Sequence, residues 1–180
     1  MNRGTIKVWD PLIRVFHWSL VTSYAIAWLT AEDLAKVHEW AGYVVGGLLV
    51  FRILWGLVGP KYARFGQFVH SPATVVEYFR AMIKGKEQRY LGHNPAGGLM
   101  IIALMLALAG AVLTGWMSTL DAYRGVEWIE GAHALLANLT LLMVIAHVGG
   151  VILASFRHKE NLARAMVVGH KRAPEPADIV

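Results

Sequence analysis

Four apolar segments, at about residues 11–30, 37–58, 96–120 and 132–156, are each long enough to cross roughly 30 Å of hydrocarbon as a helix. Within a bilayer every backbone donor and acceptor needs a partner inside the protein, so segments of this kind fold as helices and not as open strands. The composition agrees: 56% of the 180 residues are hydrophobic, 16% are charged, and mean hydropathy is +0.47, more apolar than a soluble domain of this size requires. The expected fold is therefore all-α and integral to the membrane, a four-helix transmembrane bundle surrounded by membrane lipid. It forms one domain over residues 1–172, followed by a disordered tail over 173–180, where proline and polarity favour fraying. The first segment is interrupted by "RVFHWS" and lacks the flanks of a cleaved signal peptide, so it is expected to be retained.

The charged residues sort by side. Fifteen of the 17 Lys and Arg residues precede the first span, lie between the late second and the third, or follow the fourth; only Lys36 and Arg124 fall on the other side. The positive-inside rule then places both termini and the long middle loop in the cytoplasm of a multi-pass inner (plasma) membrane protein. The opposite side carries Glu32, Asp33, Glu39, Asp121, Glu127 and Glu130, an acidic face to which a basic redox protein would be steered. The net charge of +5 does not signal nucleic acid, because the cations form no stripe with interleaved aromatics. In the middle loop, "SPATVVEYFRAMIKG" has an N-cap in Ser71, a first turn in Pro72, a stop in Gly85, and apolar residues at helical spacing. It predicts a short cytoplasmic interfacial helix.

The chain has no cysteine, which excludes disulfides, thiolate metal sites, iron–sulfur clusters and covalent haem attachment. Metal chemistry then rests on histidine or carboxylate. Ionisable residues are costly within hydrocarbon and are usually functional there. Four histidines qualify: His17 and His147 toward the cytoplasmic level, His38 and His133 toward the outer one. His133 and His147 are fourteen residues apart, about 21 Å along a helix and about 40° short of whole turns, so one helix face presents both. Two pairs of imidazoles at matched depths, each pair from two helices, suit bis-histidine ligation of two b-type haems: His38 with His133, His17 with His147. A packing role, a transition-metal site and a proton relay are the competing readings; the absence of an intramembrane acid and of a one-layer ligand cluster favours haem.

Gly42 and Gly46 after His38, and Gly149 and Gly150 after His147, offer room for a flat macrocycle or for a neighbouring helix. Arg52, fourteen residues after His38, is expected on the same stripe at the cytoplasmic level, paired with a propionate of the inner haem, shaping a nearby pocket, or snorkelling to lipid phosphate. Thr114, Asn138 and Thr140 are expected to make hydrogen bonds between helices. His70, His93, His158 and His170 lie in polar loops or the tail and are not expected to ligate.

The segments "WDPLIRVFHWSL", "HEWAGYVVGGLLVFRILWGLVGPKYARF" and "GHNPAGG", with the fourteen-residue histidine spacing, resemble the bacterial cytochrome b561 family, which includes the b-type cytochrome subunits of Ni-Fe hydrogenases. The resemblance runs from about Val8 to His158. It implies a membrane dihaem cytochrome exchanging electrons between the quinone pool and a redox partner, such as a periplasmic c-type cytochrome or a hydrogenase. The family's ligands match His17, His38, His133 and His147. The resemblance also makes Asn94, Gly97 and Arg52 candidates for a quinone pocket on the cytoplasmic side. The alternative implied by short family members is a stand-alone superoxide:quinone oxidoreductase, against which the acidic outer loops argue. An electron-transfer subunit or carrier is the expected role over a stand-alone enzyme.

Overall fold

The computed structural model describes residues 4–180; Arg3, counted above in the basic flank, lies outside the described residues, as do the first two positions. The elements in chain order are β1 (Thr5–Lys7), α1 (Pro11–Leu29), α2 (Ala35–Val58), a 3-10 turn (Lys61–Ala63), α3 (Phe65–Phe68), α4 (Pro72–Ile83), α5 (Pro95–Thr119), α6 (Glu127–Arg157), α7 (Leu162–Val168) and β2 (His170–Arg172). Four of these, α1, α2, α5 and α6, are long and apolar enough to cross a membrane. All four coincide with the expected spans. Helix α6 begins at Glu127, five residues before the expected start, and its 31 residues run about 46 Å, longer than the hydrocarbon itself.

Local chemistry sets the ends of these helices. The Asp10 carboxylate accepts hydrogen bonds from the backbone N–H groups of Leu12 and Ile13 (3.0 and 3.1 Å), and Pro11 occupies the first turn of α1. Asn94 caps α5 in the same way, its Oδ1 accepting from Gly97 N–H at 2.7 Å. Acidic Glu127 and Glu130 stand in the first turn of α6 and Arg157 in its last, each sign matched to the helix dipole. The predicted interfacial helix is α4: Ser71 accepts from Thr74 N–H at 3.2 Å, and Gly85, at φ +64°, follows its end.

The chain divides into two compact units. One comprises Val15–Leu54 and Ala103–Val144, the adjoining stretches of the four long helices. Its buried centre is Val45, Leu49 and Leu108, with Leu20, Tyr24, Met105 and Val112 packed around it. Small residues allow this approach: a Cβ on Gly46 would lie 3.0 Å from Val112 Cγ1, and one on Gly110 would lie 2.9 Å from Leu136 Cδ1. Of the polar residues expected to bridge helices, Thr114 reaches His133 Nδ1 on α6 at 3.5 Å, and all three also bond back onto their own helix. Thr114 donates to the Gly110 carbonyl (2.8 Å), Asn138 to Ala134 (2.8 Å) and Thr140 to Leu136 (2.7 Å). A hydroxyl or amide on an apolar helix finds the carbonyl one turn back without any partner helix having to be placed.

The other unit comprises Met1–Arg14 (described from Gly4), Trp55–Ile102 and Ile145–Val180. Every described Lys and Arg belongs to it except Lys36, Arg52 and Arg124. Strands β1 and β2 pair antiparallel, Ile6 opposite Lys171, and the N–H groups of Val8 and Trp9 both donate to the Gly169 carbonyl. The tail, expected to fray, is tied down. Ile179 donates to the Arg89 carbonyl (2.9 Å) and accepts from Leu91 N–H (3.0 Å), while Asp178 meets the Arg89 guanidinium. Arg89 also binds Glu160 in a bidentate contact and reaches the Arg172 carbonyl. Composition alone suggested a free terminus because it does not reveal that Arg89, 5% exposed, needs a second carboxylate.

Candidate functional site

Within the first unit, His38 rises from the first turn of α2 and His133 from the second turn of α6. Their ring centroids are 5.9 Å apart and the rings are nearly perpendicular, at 82°. Each ring has its Nδ1 taken by a backbone carbonyl: Ala27 on α1 at 2.8 Å for His38, and Ala111 on α5 at 2.9 Å for His133. A carbonyl accepts only, so both Nδ1 atoms carry the proton and both Nε2 atoms keep a lone pair. That tautomer is the one in which a histidine ligates through Nε2 with its other nitrogen anchored. All four long helices share the work, two supplying the rings and two the carbonyls.

The surroundings fit a large metal group better than a bare ion. Among the described residues no three His, Cys, Asp or Glu side chains converge on a metal-sized site. A lone cation would find two protein donors where a structural ion needs four or more. A porphyrin brings four equatorial nitrogens and needs two axial ones, which this pair of rings could supply. With metal–imidazole bonds of about 2 Å, two rings on opposite sides of one metal have centres roughly 6 Å apart, close to the spacing seen here. Glycine makes room on one side: a Cβ on Gly115 would lie 3.0 Å from His133 Cε1, so α5 carries no side chain where the ring lies. A Cβ on Gly42, one turn after His38, would meet nothing within 4 Å, whereas Gly46 serves the contact with Val112.

The other expected site residues are placed as follows. His17, in the first unit, is half-buried and has its ring edge-on to Trp18 at 5.1 Å. His147, half-buried on α6, belongs to the second unit. Arg52 is buried at 3% exposure. A guanidinium so enclosed does not snorkel to lipid phosphates, which removes that one of the roles foreseen for it. Asn94 and Gly97 form the cap of α5, which accounts for their pattern without a ligand. Gly98 is the tight point of the same turn: a Cβ there would lie 2.1 Å from the Phe68 carbonyl oxygen. Gly149 and Gly150 face open space.

The carbonyls of Ala27 and Ala111 and the gap at Gly115 had no part in the sequence reading. A backbone carbonyl leaves no mark in a sequence, and Gly115 is one glycine among 18.

Around the second unit's polar network, burial and charge shift several groups. Burial and the nearby Glu87 charge push the Tyr78 hydroxyl up to about 12. Burial pulls Lys171 down to about 8. The carboxyls of Glu160 and Asp178 are held below their usual range: burial pushes each upward, and the hydrogen bonds and charge of Arg89 together with backbone N–H groups outweigh it. Lys171 is buried, donating to the Leu91 carbonyl at 2.9 Å with its ammonium 5.8 Å from the Trp9 ring centre.

Apolar helices of membrane-spanning length that bring together two histidines, with no larger donor cluster among the described residues, fit a membrane cytochrome of the b type. Comparison with known families agrees: residues 8–169 match the model of the prokaryotic cytochrome b561 family, and the chain belongs to that family. It is thus a haem-binding transmembrane electron-transfer protein. One relative, a probable Ni/Fe-hydrogenase B-type cytochrome subunit of Rhizobium leguminosarum bv. viciae, is 20% identical over 217 residues, covering 95% of this chain and 90% of its own.

Proposed function

We propose that the chain holds two b haems, one between His38 and His133 and one between His17 and His147, and exchanges electrons between quinone and a redox protein on the acidic side of the membrane. The observation that carries this reading is the double anchoring of His38 and His133, whose Nδ1 atoms are both spent on carbonyls. The second pair rests on the spacing of histidines along the sequence. When bound, each haem iron supplies a one-electron couple, its potential set by its axial ligands, burial and neighbours. The protein's own residues bind, orient and exclude water. Ala27 and Ala111 hold the tautomer, Gly115 admits the His133 ring, and the buried Arg52 guanidinium offers its charge to a propionate.

Along the sequence, fifteen of the 17 cations fall in the termini and the middle loop region, and six acids fall in the expected outer loops, which supports termini in the cytoplasm of an inner membrane and a basic partner outside. The relative named as a hydrogenase cytochrome subunit makes a periplasmic redox enzyme or a c-type cytochrome the natural class of partner. The quinone is expected on the cytoplasmic side.

The test is haem counted per chain in detergent-purified protein, with oxidised and reduced visible spectra. Two b haems in the native chain, one in His133→Ala and one in His147→Ala, are expected. Two haems retained in either variant would reassign the ligands.

A further inference from the structure

In the first unit, α1 and α2 leave an open groove of about 330 Å³ between them. Small residues, Ser23 on α1 and Ala41 on α2, line it together with the larger Ile26, Val37 and Val44. Lys36 and Trp40 line the same groove. Trp40 is 68% exposed and has Tyr43 edge-on beside it at 5.8 Å. Exposed tryptophan and tyrosine on a membrane helix mark the headgroup level, and Lys36, one turn before Trp40, lies in the first turn of α2.

Charge decides what the groove takes. Of the three Lys or Arg residues in this unit, Arg52 is buried and Arg124 is paired with Asp121 at 3.1 Å. Lys36 is exposed and has no carboxylate within salt-bridge distance among the described residues. Glu39, three positions on, is its neighbour on the helix surface, and its carboxylate accepts from the Tyr43 hydroxyl at 2.8 Å. An exposed ammonium lining an apolar groove, with a half-buried carboxylate three positions on along the same helix, matches a zwitterionic headgroup: phosphate on the lysine, amine toward the glutamate, acyl chain along the groove.

We propose that this groove is a phospholipid site, taking an acyl chain over Ser23 and Ala41 and a phosphoethanolamine headgroup at Lys36 and Glu39.

The experiment is native mass spectrometry with lipid extraction on haem-loaded protein in mild detergent, followed by titration of the delipidated protein with phosphatidylethanolamine and with phosphatidylglycerol. The native chain should keep about one phosphatidylethanolamine and rebind it saturably. Lys36→Gln should weaken that binding by about fivefold, the contribution of one lysine at a lipid headgroup. Glu39→Gln should abolish the preference for phosphatidylethanolamine over phosphatidylglycerol. Ser23→Phe, which fills the groove, should expel the lipid, while Ser23→Ala keeps it; haem absorbance and helicity verify folding in each case. No saturable binding by the native chain would overturn the proposal, as would an extracted isoprenoid quinone in the lipid's place, a dimer cross-linked through Trp40, or native-like affinity in Lys36→Gln and Ser23→Phe. If Ser23→Phe does not fold, the native titration and Lys36→Gln decide alone.

Discussion

His133 illustrates how closely a ligand's surroundings constrain it. Its Nδ1 is 2.9 Å from the Ala111 carbonyl and 3.5 Å from the Thr114 hydroxyl, and its Cε1 faces the missing side chain of Gly115. A valine at that position places a Cβ 3.0 Å from the ring and branches further, and the ring must leave its anchor. Gly115→Val is therefore expected to lose one haem per chain, as is expected of His133→Ala, while the helical circular dichroism stays native. An unchanged haem count would mean that the ring has room the structure does not give it. Arg52, at 3% exposure, is the second such residue. Arg52→Gln keeps hydrogen-bonding capacity without the charge, and is expected to shift the midpoint potential of a haem whose propionate it neutralises, read by redox titration. These positions differ in how far the sequence discloses them. An imidazole in an apolar run is conspicuous, whereas the carbonyl that fixes its tautomer belongs to an alanine.

At the scale of elements, the helices follow rules that a sequence carries openly: apolar length for the spans, Asp10, Ser71, Asn94 and Asn161 as caps, and Gly85 and Gly169 at positive φ as stops. Removal of one cap has a bounded effect. Ser71→Ala is expected to destabilise α4 by about 1 kcal/mol, visible as faster amide exchange at Thr74 and Val75 with the haem spectrum unchanged. Gly98→Ala is a harsher change at the start of α5, because the new Cβ would meet the Phe68 carbonyl oxygen, and neither backbone segment yields cheaply. In the same turn, Asn94 of "GHNPAGG" caps α5 and Gly98 allows the close approach of Phe68, so the motif has a structural role at a helix start. The short strands and the docked tail were missed for an opposite reason. Three-residue strands have no periodicity to detect, and their pairing joins positions more than 160 residues apart.

At the scale of the whole molecule, the two units answer to different forces. The unit holding most of the cations is organised by a buried network in which Arg89, Glu160 and Asp178 are 5%, 7% and 7% exposed. Removing the arginine leaves two carboxylates enclosed without their counter-charge, and Arg89→Ala is expected to destabilise this unit by about 3–5 kcal/mol, with the tail becoming open to carboxypeptidase. Its pH response follows from the shifted groups. Glu160 and Asp178 titrate below their usual range, so the stability they contribute is complete above about pH 4.5 and is lost as pH falls through their depressed values. Lys171 behaves in the opposite sense. Its folded value near 8 lies below 10.5, so between these limits the unfolded chain binds more protons and stability rises with pH. Thermal unfolding followed by tail proteolysis should therefore show a midpoint that climbs from pH 8 to about 10; a midpoint that falls there would mean that the fold favours the Lys171 cation instead of penalising it.

The sequence by itself determined that four helices cross a membrane, where most of them start and stop, and which four histidines are anomalous within hydrocarbon. These properties are local, set by runs of apolar side chains, by caps within three residues, and by the cost of an ionisable group in lipid. The tertiary structure alone decided that His38 and His133 meet with both Nδ1 atoms occupied, that Arg52 is enclosed, that Thr114 reaches His133 while Asn138 and Thr140 turn back on their own helices, and that the last residues dock on Arg89 and Leu91. Most of these depend on partners distant in the chain. Which partners meet is settled by how helices pack and which buried charges need each other, and a one-dimensional pattern does not record that choice.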